Sequence, residues 1–265
     1  MTEDFSEEKF RASLARSGAK VEEVEKIVAF VSRNLHANMP TSEIYDLAFK
    51  QLNQLRKPAA ARYSLRRALL GFGPSGFPFE HYLGEMFQAK GYSVATNQFL
   101  AGACVTHEID LVAWNDKKLL MVEAKFHNEL GAKTDLKVVL YVRARFEDLL
   151  EGQFDFGGRL RSLDEGWVIT NTKFTTNAIK YAECAGLNIV GWNYPPKGNL
   201  HDWVEETGLH PITCLSSLSE RDKHVLLEQK AVLCKDVSVD RLKEIGLSQE
   251  KILPVMEEVK LLCDI

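Results

Sequence analysis

Two short apolar runs that carry acids at matching ends, residues 109–114 and 119–124, restrict this chain more than any other stretch of it. They flank Asn115-Asp116-Lys117-Lys118, a polar break of turn-forming composition, and together read as a β-hairpin. Strand side chains alternate between faces, which sets Asp110 with Val112 and Trp114, and Glu123 with Lys125. A turn centred between Asp116 and Lys117 puts Asp110 directly opposite Glu123. Cross-strand partners have Cβ atoms roughly 4.5–5.5 Å apart, close enough for two carboxylates to share one cation. Apolar residues occupy both faces of both strands (Ile109, Leu111 and Val112; Leu120, Met121 and Val122), so the hairpin belongs in the interior of a sheet. Charged groups placed there need a compensating partner.

Composition narrows the class. The chain has 265 residues, 45% of them hydrophobic, which is ordinary for a globular protein and leaves little room for extended disorder. No apolar run approaches the roughly 20 residues that span a bilayer. The first eight residues are acidic and lack the regions of a signal peptide, so a cytoplasmic location with no membrane partner is expected. The five cysteines are scattered without C-x-x-C spacing, which argues against a zinc site or a disulfide framework. A net charge of −4 does not advertise a nucleic-acid binder, but phosphate binding requires only a local basic surface.

Along the chain, residues 1–72 read as helical. Ser6 opens a first helix, residues 21–35 form a second, Thr41 or Ser42 caps a third, and Pro58 opens a fourth over 59–70. The Gly/Pro stretch 71–76 separates this part from a mixed region over 77–200. There Pro78 starts a helix that Lys90-Gly91 ends. A strand over 92–98 leads into the hairpin, and Thr134-Asp135 caps a helix over 136–150. Residues 167–170, 175–185 and 187–192 read as a βαβ unit. A helical segment closes the chain over 201–265, with turns at Val237-Ser238-Val239-Asp240 and Ile245-Gly246-Leu247-Ser248.

Several chemistry-bearing residues gather around the hairpin. The Pro78 helix turns Phe79, Leu83, Met86 and Phe87 to one face, and Glu80 points partly inward beside them. Asp110 and Glu123 are opposed, Lys125 follows Glu123 on the same face, and Lys137 and Tyr141 are i, i+4 neighbours on the next helix. The spacing Asp-(twelve residues)-Glu-Ala-Lys resembles the signature of the PD-(D/E)xK nuclease superfamily. Within it, the chain is most similar to Mrr-type restriction-endonuclease domains, through Phe79-Glu80 with Gly91-Tyr92, Glu108-Ile109-Asp110-Leu111-Val112, Val122-Glu123-Ala124-Lys125 and Gly166-Trp167-Val168-Ile169-Thr170. The fold this resemblance implies is α/β, a restriction-endonuclease-like mixed sheet flanked by helices. It also implies that Asp110, Glu123 and the Ala124 carbonyl ligate Mg²⁺ or Mn²⁺, that Glu80 completes the shell through water, and that Lys125 orients the attacking water or stabilises the phosphate. Lys137 stands where many relatives carry Gln. The expected activity is hydrolysis of DNA phosphodiesters, in defence against foreign DNA, by a homodimer that cuts both strands. A non-catalytic nucleic-acid-binding or nucleotide-sensing protein and a structure-specific repair nuclease are the alternatives.

The flanking parts add two expectations. Phe5-Ser6-Glu7-Glu8-Lys9-Phe10, Val21-Glu22-Glu23-Val24, Pro40-Thr41-Ser42-Glu43-Ile44 and Ala61-Arg62-Tyr63-Ser64-Leu65-Arg66-Arg67 resemble a truncated ATP-cone that lacks that family's opening basic segment. The resemblance implies ATP or dATP as ligand, or else a docking module. Arg62, Arg66 and Arg67 lie in a stretch with no acid, which suits contacts to a DNA backbone as well as a solvated face paired with the acidic first helices. The closing helices are similar to helix-hairpin-helix DNA-binding modules, or form a cap. His107 is expected to be structural, and His127 is a candidate phosphate contact.

Overall fold

The computed structural model describes residues 5–129 and 131–263. The chain opens with α1 (Glu7–Arg16), α2 (Val21–Asn34), α3 (Thr41–Leu55) and α4 (Lys57–Leu70). Ser6 caps α1 by accepting the Lys9 N–H, one of the first-turn donors that a helix cannot satisfy internally. The cap residue of α3 is Pro40 rather than Thr41 or Ser42. In α4, Pro58 lies within the first turn, where its missing N–H costs nothing.

After the Gly/Pro stretch come α5 (Phe77–Ala89), β1 (Ser93–Ala101), β2 (Thr106–Trp114) and β3 (Leu119–Lys125), then β4 (Lys133–Thr134) and α6 (Leu136–Leu149). The short strands β5 (Phe154–Asp155) and β6 (Leu160–Arg161) precede β7 (Glu165–Thr170), β8 (Lys173–Phe174), α7 (Thr176–Ala185) and β9 (Asn188–Val190). The chain ends with α8 (Leu200–Thr207), α9 (Glu220–Glu228), α10 (Val239–Glu244) and α11 (Gln249–Cys263).

The main sheet runs β1-β2-β3-β7-β9. β1, β2 and β3 are antiparallel neighbours, while β7 and β9 join in parallel, making a mixed sheet with the hairpin strands inside it. The hairpin turn forms as expected. The Asn115 side chain accepts the N–H groups of Lys117 and Lys118, a local bond that favours turns, and Trp114 pairs with Leu119.

Alternation divides the sheet's side chains between two cores. Leu111, Ala113, Leu120 and Val122 join α5, α8, the second half of α4 and the closing helices in one core. Val112, Leu119 and Met121 join α6 and α7 in the other. The first helices form a third cluster, built from Phe10, Leu14, Ile27, Val31 and Leu52, which includes Ala59 and Ala60 of α4. The same helix sends Ala61, Leu65 and Leu69 into the first of these cores, so α4 is shared between them.

Candidate active site

Asp110 and Glu123 lie where two backbone ladders are interrupted. β2 pairs with β3 from Trp114–Leu119 to Leu111–Val122; continued by one step, that register sets Asp110 opposite Glu123. On the other side, pairing of β1 with β2 includes Thr96–Leu111 and Gln98–Ile109 but passes over Asn97 and Asp110. Asn97 has φ of 52°, the left-handed region that non-glycine residues seldom adopt. The Asp110 side chain is turned along the sheet, and its Oδ2 accepts the Ala124 N–H at 2.7 Å. In an extended strand the N–H and C=O of one residue face the same neighbour, so the Ala124 carbonyl opens toward the same gap.

Glu123 follows Leu119 and Met121 to the α6 side, where Arg145 Nη1 donates to its Oε2 at 2.6 Å. Both side chains are nearly buried, at 7% exposure for Arg145 and 16% for Glu123. The guanidinium also lies 5.2 Å from the centre of the Tyr141 ring, within cation–π range. Its Nε is buried and has no hydrogen-bond partner among the described residues.

Glu80 enters from the first turn of α5, anchored by buried Phe79, Tyr82 and Leu83. Gly76, one turn earlier, leaves room for it, since a Cβ there would stand 3.3 Å from Glu80 Oε1.

The electrostatics show that these groups sense one another. Burial, followed by the negative charges of Asp110, Glu123 and Glu108, raises the Glu80 carboxyl to about 7. Burial also raises Asp110, against the opposing effects of the Ala124 N–H and Arg145. Glu123 is raised by burial and by Asp110, opposed by Arg145 and Lys125. Crowded carboxylates in a low-dielectric setting resist ionising together. Lys125 makes no ion pair among the described residues, yet its charge acts on Asp110, Glu123 and His127.

The donors suit a hard divalent cation. Asp110 and Glu123 each keep one carboxylate oxygen with no hydrogen-bond partner among the described residues. Mg²⁺ takes oxygen ligands, needs only one or two carboxylates, and retains waters and phosphate oxygens. Among the described residues no group of three or more His, Cys, Asp and Glu is placed to hold a metal ion, so a cation between Asp110 and Glu123 would need backbone, water or phosphate oxygens to complete its shell.

Other residues singled out in the sequence lie as follows. Lys137 is exposed in the first turn of α6, and its backbone N–H is capped by Asp135. Tyr141, also exposed, meets the site only through Arg145. His107 Nε2 lies 2.7 Å from Asp148 Oδ2, and that carboxylate also accepts the N–H groups of Cys104 and Val105. His127 bonds to Thr134 through its ring and to Asn171 through both backbone groups.

The basic residues of α4 are largely engaged within the chain. Arg62 donates to the Ser17 carbonyl, and Arg67 pairs with Asp46 at 2.5 Å while stacking 3.6 Å over the Tyr45 ring. Arg66 is half-buried, with an Nε that has no partner among the described residues.

Arg145 is the site residue that sequence reasoning passed over. It continues the i, i+4 stripe of Lys137 and Tyr141, the one signal that could have pointed to it. Its neighbours Val142, Phe146 and Leu149 have the pattern of an ordinary core-facing helix.

Residues 74–193 match the restriction endonuclease (Mrr catalytic) family, and residues 210–263 match the AF1548-like C-terminal family. An uncharacterized protein of Archaeoglobus fulgidus is 38% identical over 184 residues, covering 67% of this chain and 98% of its own length. The crystal structure of a protein of unknown function, AF1548, superposes with a TM-score of 0.58 at 33% identity, covering 72% of this chain and 100% of that one. The chain belongs to this AF1548-like family, with a restriction-endonuclease domain of the PD-(D/E)xK type at its centre. Can2 from Sulfobacillus thermosulfidooxidans, solved with cyclic tetra-adenylate, is a much looser match: 13% identity and a TM-score of 0.35 over 76% of this chain and 54% of that one.

Proposed function

We propose that the chain is a divalent-metal-dependent DNA endonuclease, with Asp110, Glu123 and the Ala124 carbonyl holding Mg²⁺ or Mn²⁺. What supports this reading is that Asp110 and Glu123 lie where strand pairing is interrupted, that both act electrostatically on Glu80 of α5, and that Lys125 makes no ion pair among the described residues. Bound there, the cation supplies a water of lowered pKa and neutralises phosphate charge. Lys125 lies on the strand face of Glu123 and meets charge that develops on the scissile phosphate. Glu80, with its carboxyl near 7, is suited to accept or return a proton near neutral pH. Lys137, one turn before Tyr141, is left to contact the DNA backbone from the rim.

The test is plasmid cleavage with Mg²⁺ or Mn²⁺, beside Glu123→Ala and Lys125→Ala. Metal-dependent nicking or linearisation by the unaltered chain alone is expected. No cleavage under any metal, with or without ATP, overturns the enzyme reading.

One observation favours a second reading. Arg145 already occupies an oxygen of Glu123, as it would in a nuclease scaffold kept for binding nucleic acid or sensing a nucleotide. Retention of DNA in gel shifts without cleavage supports that alternative. For the first four helices, heat on titration with ATP or dATP supports the nucleotide-binding role, and silence with both removes it. Among the described residues no helix is long and apolar enough to cross a membrane. Cutting both strands would call for two such sites, hence a homodimer, which the mass in solution tests.

A further inference from the structure

Away from the sheet, α3, α4, α9 and the loop before α9 enclose a cavity of about 340 Å³. Two cations, Arg67 and Lys223, and one acid, Glu220, line it, together with Ser64, Thr213 and the ring of Phe49. Lys223 is 9% exposed, and a buried ammonium needs a counter-charge. Its ion-pair partner among the described residues is Glu220, one turn away on α9 and 84% exposed. A pair with a solvated partner contributes only about 0–1 kcal/mol.

The other groups nearby do not meet that need. Cys214 stays a neutral thiol, pushed by burial up to about 12. The buried Glu258 carboxylate is occupied by the N–H groups of Ser216 and Ser217 and the Ser216 hydroxyl. Arg67 is held in place by its stacking on Tyr45, and its partner Asp46 is 66% exposed. Lys223 is thus paired to a carboxylate at the cavity's own rim, Glu220, and Arg67 to Asp46 outside it, and solvent can take over either carboxylate.

We propose that this cavity binds a phosphorylated small molecule, whose phosphoryl oxygens replace the Glu220 carboxylate on Lys223 and reach Arg67. The volume lies at the lower end of the roughly 300–1,000 Å³ range of ligand pockets, a size for a mononucleotide rather than a polymer. Phe49 offers the remainder of the ligand an apolar wall. The ligand would join α3 and α4 to the loop before α9, elements far apart in the chain.

The experiment is calorimetry on the full chain with inorganic phosphate, AMP and adenosine. AMP should bind saturably at one site, phosphate more weakly, and adenosine at least about tenfold more weakly than AMP, the loss of one charge-assisted contact. Lys223→Met keeps the apolar stem and should weaken AMP by about tenfold or more. Glu220→Gln, on the surface and harmless to folding, should tighten AMP several-fold by removing the competing carboxylate. Silence with both phosphate and AMP, equal affinity for adenosine and AMP, or affinity for AMP unchanged in Glu220→Gln overturns the proposal. None of these readouts depends on DNA cleavage.

Discussion

Arg145 and Glu123, twenty-two positions apart on α6 and β3, form a nearly buried ion pair at 2.6 Å in the middle of the acidic cluster. Removing the cation leaves a carboxylate at low exposure beside Asp110, whose field already raises it. Breaking a buried pair from one side costs about 3–5 kcal/mol, and the partial exposure of Glu123 points to the lower end of that range. Arg145→Met is therefore expected to lower unfolding stability by about 3 kcal/mol in urea titration. It should also move the Glu123 carboxyl further up, so that the acidic limb of any cleavage profile shifts to higher pH.

Glu80 gives the fold a pH signature of definite sign. Its folded carboxyl is near 7 against an ordinary 4.5, so between those values the native state holds a proton that the unfolded chain releases. Stability from this group is fully present below about 4.5 and is lost as pH rises through about 7. Thermal melts from pH 4 to 8 should show a falling contribution across that window, and Glu80→Gln should flatten it. Asp110 and Glu123 are raised as well, so some slope in the same direction remains. A variant with an unchanged profile would contradict the placement of Glu80 beside the acids.

Lys125 offers a way to test the proposed division between metal binding and chemistry. Lys125→Met removes a positive charge that acts on both Asp110 and Glu123 but none of the oxygen donors, so Mn²⁺ binding should be retained. Cleavage should fall by roughly 10²–10³-fold, the usual loss when one electrostatic stabiliser of a transition state is deleted. Calorimetry with Mn²⁺ and plasmid assays on the same preparation distinguish the two effects.

How much of this was legible depended on the range of the interactions. The hairpin and its turn follow from side-chain alternation and the Asn115 turn, both local, and helix starts such as Ser6 and Asp135 carry their own caps. Arg145 was not legible, because an arginine beside Val142 and Phe146 acquires meaning only once β3 lies against α6. The break at Asn97 depends on a backbone angle that no residue pattern announces. The membership of α8 and the closing helices in the core of α5 rests on long-range contacts, such as Phe87 against Trp203.

One such contact is testable by itself. The buried Tyr82 hydroxyl on α5 donates to the Leu209 carbonyl, just beyond α8, at 2.9 Å. Tyr82→Phe keeps the ring and strands that carbonyl, which should cost about 1–2 kcal/mol in urea titration. A loss near zero would mean that water reaches Leu209.

The division of α4 between two cores sets how the molecule can be taken apart. Ala59 and Ala60 belong to the leading helical cluster, and Ala61, Leu65 and Leu69 to the core that covers the sheet. A protease cut or a shortened chain starting within the Gly71–Gly76 stretch, although that is the obvious seam, would tear an apolar ridge off the sheet's covering layer. A cut ahead of α4, at Arg56, spares that ridge but strips α4 of its contacts with the first helices, among them Arg62 with Ser17 and Arg67 with Asp46 and Tyr45, so neither seam releases a part that keeps its own core whole.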